Sequence, residues 1–413
     1  MRDVGLLVAL AAVASVALRR PWLGVIGLAF VGYMQPHSYA GGFMGHFPVY
    51  RALFAATVLG ALLSREWRLP PRDWRVAVLL LFWLGLLIST WRSAFPFLAW
   101  PRLVEVSGVL GSAVLILLLI DTRKKLLVLM AAMAGSFALV SLKGGYWAII
   151  YGFSDRVYGP PGSQYYDNNH FAVAAVMAIP LLVLWLRQTA DRGLRVALGA
   201  GIALSILAAL SSWSRGALLA LGVTLVLLLT ESRKKALALI PIALAAAVAL
   251  AFLPEQWFER METIASWQTE GSARGRLDAW RRGIEFTLGR PLLGAGFEGW
   301  LFGAKSPDWH SAYIEIMAEQ GLVNFLFWMS LILGTLFSLT RLAWRYRGSA
   351  DQAWVVDYSR ALRASLIAYC VGGAFLGIAY WDLLYHLIAA AIVLGVAAAG
   401  RPVRALQPGA AGS

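Results

Sequence analysis

Three places in the chain carry side chains suited to gripping an anion and moving a proton. The stretch Gly271 to Arg290 holds Arg274, Arg276, Arg281, Arg282 and Arg290 against only Asp278 and Glu285. Guanidinium forks bind phosphate oxygens bidentately and stay charged at any relevant pH. Arg215 stands in WSRGALLAL, with Ser212 and Ser214 beside it and Gly216 after it, so the backbone there can approach a ligand closely. Arg215 also begins an apolar helix, where the dipole disfavours a cation, and a bound anion would offset that cost. His310 opens the run HSAYIEIMAEQG. A neutral imidazole there can take a proton from a hydroxyl nucleophile. Each feature also has a plainer reading: span-end arginines snorkel to headgroups, and a lone histidine is often structural.

Around these groups lie weaker candidates. Arg276 to Leu288 reads as an amphipathic helix whose apolar stripe is Leu277, Trp280, Ile284 and Leu288. A helix lying on a membrane surface with arginines at its edges suits a lipid-linked phosphate, or it is an ordinary interfacial helix. Tyr313 shares a face with His310, while Glu315 and Glu319 are expected to point elsewhere. DNNHFA opens a span; Asn168 is a plausible N-cap, and the Asn168, Asn169 and His170 cluster is placed to touch a sugar. His37 and His46 flank a glycine-rich loop, and His386 lies in a span, where packing and hydrogen bonding are expected. The sequence has no HExxH motif, no cysteine cluster and no P-loop. A metal-independent, cofactor-free transfer is expected, with arginines doing a cation's work on a leaving phosphate.

The elements that must position these groups are membrane helices. The chain has 413 residues, 60% hydrophobic and 14% charged, against about a quarter charged in soluble domains. Apolar runs of span length recur throughout, which makes this an all-α integral membrane protein and excludes a soluble nucleic-acid binder despite a net charge of +14. The sole cysteine, Cys370, rules out an intrachain disulfide. Basic clusters at Arg19/Arg20, Ser64 to Arg75, Asp121 to Lys125, Arg187 to Arg195, Glu231 to Lys235, Arg341 to Arg347 and Arg401 to Arg404 fall between alternate spans. The positive-inside rule puts them in the cytoplasm. The other connections then face outward, including one large polar loop at 254–310. That loop holds eight acidic and seven basic residues, so the concentration of its arginines, not its net charge, sets it apart. Val4 to Leu18 is about 22 Å of helix, short of a core of about 30 Å. The favoured topology therefore has a short or re-entrant first segment and about twelve full spans. The chain reads as one polytopic domain over 1–413, monomeric among membrane lipids, with a disordered tail at 405–413.

Taken in order, SRGA at Arg215, GRLDAWRRGIEFTLGRPLLGAGFEGW (Gly275 to Trp300) and HSAYIEIMAEQGLVNFLFW (His310 to Trp328) resemble the O-antigen ligase family. Its superfamily includes O-antigen polymerases and protein O-oligosaccharyltransferases. The resemblance covers Tyr158 to Thr340. DNNHFA resembles the family's span start, with Asn where many members have Pro. The first 150 residues look like the variant N-terminus of O-glycosylation ligases.

The resemblance implies a GT-C-type membrane glycosyltransferase with a glycan donor on undecaprenyl diphosphate. It also implies an acceptor hydroxyl on lipid A core, a growing glycan or a protein. Carried over by position, Arg215 and Arg276 would hold the diphosphate, with Arg274 a second candidate, and His310 would activate the acceptor. Asn169, His170, Tyr313 and Trp280 are candidate sugar or acceptor contacts. The expected activity is ligase-type transfer onto lipid A core, inverting, at the periplasmic face of the inner membrane. The rivals are a polymerase, a protein oligosaccharyltransferase, and a non-enzymatic transporter of lipid-linked glycans. A transporter should carry ionisable residues along a path through the spans; here they crowd the outer rim, with Glu105 the clearest exception.

Overall fold

The computed structural model describes residues 2–40, 42–93, 95–231, 235–262, 271–299 and 309–400. The expected tail at 405–413, the basic cluster at 401–404 and part of that at 231–235 lie outside them. Every regular element among the described residues is a helix, and the chain is a multi-pass membrane protein. Among the described residues ten α-helices lead to the large polar loop: α1 (Arg2–Arg19), α2 (Pro21–Met34), α3 (Val49–Ser64), α4 (Trp74–Trp91), α5 (Pro96–Leu119), α6 (Arg123–Ile150), α7 (Asn168–Gln188), α8 (Arg192–Leu210), α9 (Arg215–Glu231) and α10 (Lys235–Phe252). The loop contributes α11 (Glu255–Glu262) and α12 (Gly271–Gly289), and α13 (Ala312–Arg345), α14 (Ala353–Gly373) and α15 (Asp382–Ala398) complete the fold. Among the described residues six helices, α4 to α8 and α13, are long and apolar enough to cross a membrane.

The bundle has two chemically distinct ends. At one end, here called lower, Arg68 pairs with Asp121 at 2.6 Å, Lys125 with the same carboxylate at 2.9 Å, and Arg123 reaches Gln188 at 3.1 Å. Three of the predicted basic clusters thus meet there. At the other, upper end the connections 35–48, 151–167, 211–214 and 374–381 converge with the large loop. The core lies between, where α7 is enclosed by α6, α8, α9 and α14, and α15 by α5, α6, α13 and α14.

The first segment forms a longer helix than the apolar run Val4 to Leu18. α1 is an 18-residue helix, about 27 Å long. Met44 N–H donates to Asp3 Oδ1 at 2.9 Å and holds its first turn at the upper end. Near the lower end Gly60 lets α3 press against the backbone of Ala17 and Leu18. α1 therefore runs alongside α2 and α3 from end to end. The last helices also shift. The apolar run at 364–380 does not coincide with a helix: α14 begins at Ala353 and carries Asp357, Arg360 and Arg363 in its first turns. Hydropathy hides those turns. Arg363 Nη1 is satisfied by Thr340 Oγ1 of α13 at 3.0 Å, and the last residues of the apolar run form the turn 374–381.

Candidate functional site

The turn before Arg215 is fixed from three sides. Ser214 caps α9, its Oγ accepting from Ala217 N at 3.3 Å. Asn168 Nδ2 donates to Ser212 O at 2.7 Å, and Ser211 Oγ to Asp155 O at 2.9 Å. From the polar loop, α11 clamps the same turn: Trp257 Nε1 donates to Leu210 O at 2.9 Å and Arg260 Nε to Trp213 O at 3.1 Å. Arg215 is the first residue of α9, half-buried. Gly216 follows because Phe375 of the 374–381 turn packs on it, 3.2 Å from where a Cβ would stand.

α12 brings the arginine motif onto the bundle. Its buried face is Ala279, Gly283 and Thr287, flanked by the half-buried Arg276, Trp280 and Phe286. Gly283 is the point of closest approach, where a Cβ would collide with Ile314 and lie 3.2 Å from Trp309. The predicted stripe is therefore divided. Trp280 turns inward, its ring centroid 6.4 Å from that of Phe375, and its Nε1 is buried with no hydrogen-bond partner. Leu277, Ile284 and Leu288 point outward and are exposed, as an interfacial helix requires. Arg274 is exposed, and Arg281 pairs with Glu285 at 3.0 Å on the outer face. Of the motif's arginines before Gly283, Arg276 is the one on the inner face.

His310 is half-buried, and its left-handed φ of 47° turns the chain into α13, a conformation that costs a non-glycine residue about 1–2 kcal/mol. The segment after α12 locks the first turns of α13 in place. α13 breaks at Gly321 (φ 77°, ψ 174°), which frees the carbonyls of Ala318 and Glu319. Ala295 N and Gly296 N donate to them at 3.1 and 2.8 Å, while Leu322 N donates to Pro291 O at 2.7 Å. Ser89 Oγ of α4 donates to Leu293 O at 2.6 Å. The glycines of PLLGAGFE and AEQG are thus two halves of one joint: Gly294 (φ 65°) and Gly321 each lie where a Cβ would strike the other segment's backbone.

The acidic residues of α13 were missed as structural parts. Glu315 and Glu319, one turn apart, are both buried. Glu319 Oε2 accepts from Tyr380 Oη at 2.8 Å, and its Oε1 from Trp309 Nε1 and Glu298 N, each at 3.3 Å. Glu315 Oε2 accepts from Ala379 N at 2.9 Å. Burial, with the two glutamates beside it, pushes the Tyr380 phenol well above its ordinary range, so it stays a donor. The signal available in the sequence was the i, i+4 spacing of two carboxylates in an otherwise apolar helix.

The weaker candidates sort as follows. Asp167, not Asn168, caps α7: its Oδ1 accepts from Asn169 N at 2.9 Å, and Asn168 is spent on the 211–214 turn. Asn169 and His170 are half-buried, and the His170 ring stands 5.7 Å from Trp381. Tyr313 donates to Cys370 O at 3.0 Å, which gives its hydroxyl a packing role. His386 is buried and bonded to Tyr33 and, at 2.6 Å, to Ser112, as its position in a span implied. Among the described residues no three His, Cys, Asp or Glu side chains come together to hold a metal ion.

The start of α9, the inner face of α12 and the start of α13 are thus linked through Phe375, Trp280 and Trp309 at the upper end. The pieces that carry these contacts fall largely within residues 200–329, which match the family model described as O-antigen ligase. The match spans about a third of the chain and marks similarity to that family over those residues. Members of that family are membrane glycosyltransferase-like enzymes. Residues 1–191 match a model described only as a family of unknown function. No curated protein matches the chain.

Proposed function

We propose that this O-antigen ligase-family protein transfers a glycan from undecaprenyl diphosphate to a sugar hydroxyl of lipid A core. The observation that supports the reading is the packing of the start of α9, the Arg276 face of α12 and the start of α13 at one end of the bundle. Arg215 and Arg276, with Arg274 at the edge, hold the diphosphate. Cations placed where a leaving group gains charge lower the barrier without reorganising. His310 takes the proton of the acceptor hydroxyl, whose oxygen attacks the anomeric carbon as the carbon–oxygen bond to the diphosphate breaks. A single displacement of this kind inverts the anomeric centre. The exposed row Leu277, Ile284 and Leu288 lets α12 lie in the interface, beside a donor anchored by its polyprenyl chain.

The gathering of basic clusters at the lower end supports a cytoplasmic lower face and a periplasmic site. The reading is tested in membranes with Arg215→Ala and Arg276→Ala. Loss of one preorganised charge of this kind costs roughly 100- to 1,000-fold in rate. Transfer at the native rate in both variants, at normal expression, would remove the arginines from the mechanism. The acceptor is read from the glycoconjugates of a deletion strain. Loss of capped lipopolysaccharide with core retained selects the ligase. Loss of a protein glycoform selects an oligosaccharyltransferase.

A further inference from the structure

Between α2, α3, α5 and the 374–381 turn the upper end opens into a second cleft, of about 630 Å³. Arg215, Arg276 and His310 do not line it. Its floor is Tyr380 and Asp382, both buried. Gln164 Nε2 donates to Asp382 Oδ1 at 2.8 Å, and Tyr165 donates to the same oxygen. The wall on α5 carries Arg102 and Glu105, paired at 2.9 Å, and Arg51 of α3 also lines the cleft. His37 closes the rim with Nδ1 buried and without a hydrogen-bond partner. Burial lowers its pKa and keeps it neutral.

The balance of these groups selects a ligand class. Two guanidiniums and two carboxylates line the cleft. An anion would meet Asp382 and Glu105, and a cation would meet Arg51 and Arg102, so neither charge is favoured. A polyhydroxylated ligand satisfies both sets, since each hydroxyl donates to a carboxylate and accepts from a guanidinium or amide. The cleft size is within the roughly 300–1,000 Å³ of small-molecule sites. Tyr380 also joins it to the site described above, because its hydroxyl holds Glu319, which holds Trp309 beside His310.

We propose that this cleft is a subsite for a neutral sugar residue of the glycan handled at the Arg215–His310 site, which rests on the reading above. The full chain in nanodiscs is titrated with oligosaccharides released by mild acid from the host's lipid-linked pool, and separately with inorganic pyrophosphate. Saturable oligosaccharide binding is expected. His37→Ala with Gln164→Ala should weaken it at least tenfold and leave pyrophosphate binding unchanged. Glu105→Gln, at an exposed side chain, should weaken it about threefold. Arg215→Ala should do the reverse, lowering pyrophosphate binding alone. Oligosaccharide binding that persists while pyrophosphate fails to bind would indict the diphosphate reading and spare the subsite. Wild-type protein that binds no released oligosaccharide, or variants that bind it as wild type does, would overturn the subsite. So would displacement of the bound oligosaccharide by phosphatidylglycerol in the nanodisc.

Discussion

Replacing Tyr380 by Phe removes the shortest of the hydrogen bonds to the buried Glu319 carboxylate. An unmet buried acceptor costs about 1–3 kcal/mol. The variant should therefore unfold at lower temperature in detergent, whereas Glu319→Gln, which removes the charge with the donors still present, should lose less. Equal losses would mean that charge, not the missing donor, sets the cost. Single residues were legible in the sequence where their chemistry is unusual for their surroundings. His386 in an apolar span had to be bonded, and it is, to Tyr33 and Ser112. Asn168 and Asp167 were harder, because either can cap a helix and only the neighbouring 211–214 turn decides which is free to do so.

At the scale of elements, the docking of α12 depends on Gly283. Gly283→Val would place side-chain atoms inside Ile314 and against Trp309, so α12 should lift from α13. Faster tryptic cleavage after Arg281 or Arg282 and loss of transfer are expected; a native cleavage rate would mean that α12 is held elsewhere. Gly321→Ala tests the joint in α13. A residue with a Cβ at φ 77° is strained and strikes Leu292, so destabilisation above about 1 kcal/mol is expected in thermal melts. The amphipathic period of α12 was visible in the sequence, but its buried side was not. Large apolar residues make up the stripe, but in a membrane protein those face lipid while small residues face protein. The break at Gly321 was hidden for a similar reason: its partner, PLLGAGFE, lies earlier in the chain, and no local pattern joins the two.

For the whole molecule, the two ends of the bundle make a topological prediction. Position 2 at the start of α1 should lie on the same side as position 158, and position 72 on the other. Single cysteines placed there, in a Cys370→Ser background, should react with a membrane-impermeant maleimide from the periplasm at 2 and 158 and not at 72. Labelling of position 72 together with position 2 would contradict the lengthwise α1. The all-helical, multi-pass architecture followed from hydropathy because lipid demands continuous helices, yet the charged first turns of α14 and the modest length of α1 blurred the boundaries. The most direct test of the central claim is transfer from a lipid-linked glycan by His310→Ala protein of normal expression and topology. Loss of a general base predicts transfer slower by roughly 100- to 10,000-fold, with pyrophosphate bound as in wild type. Transfer at the native rate, or loss of pyrophosphate binding together with transfer, would contradict His310 as the group that activates the acceptor.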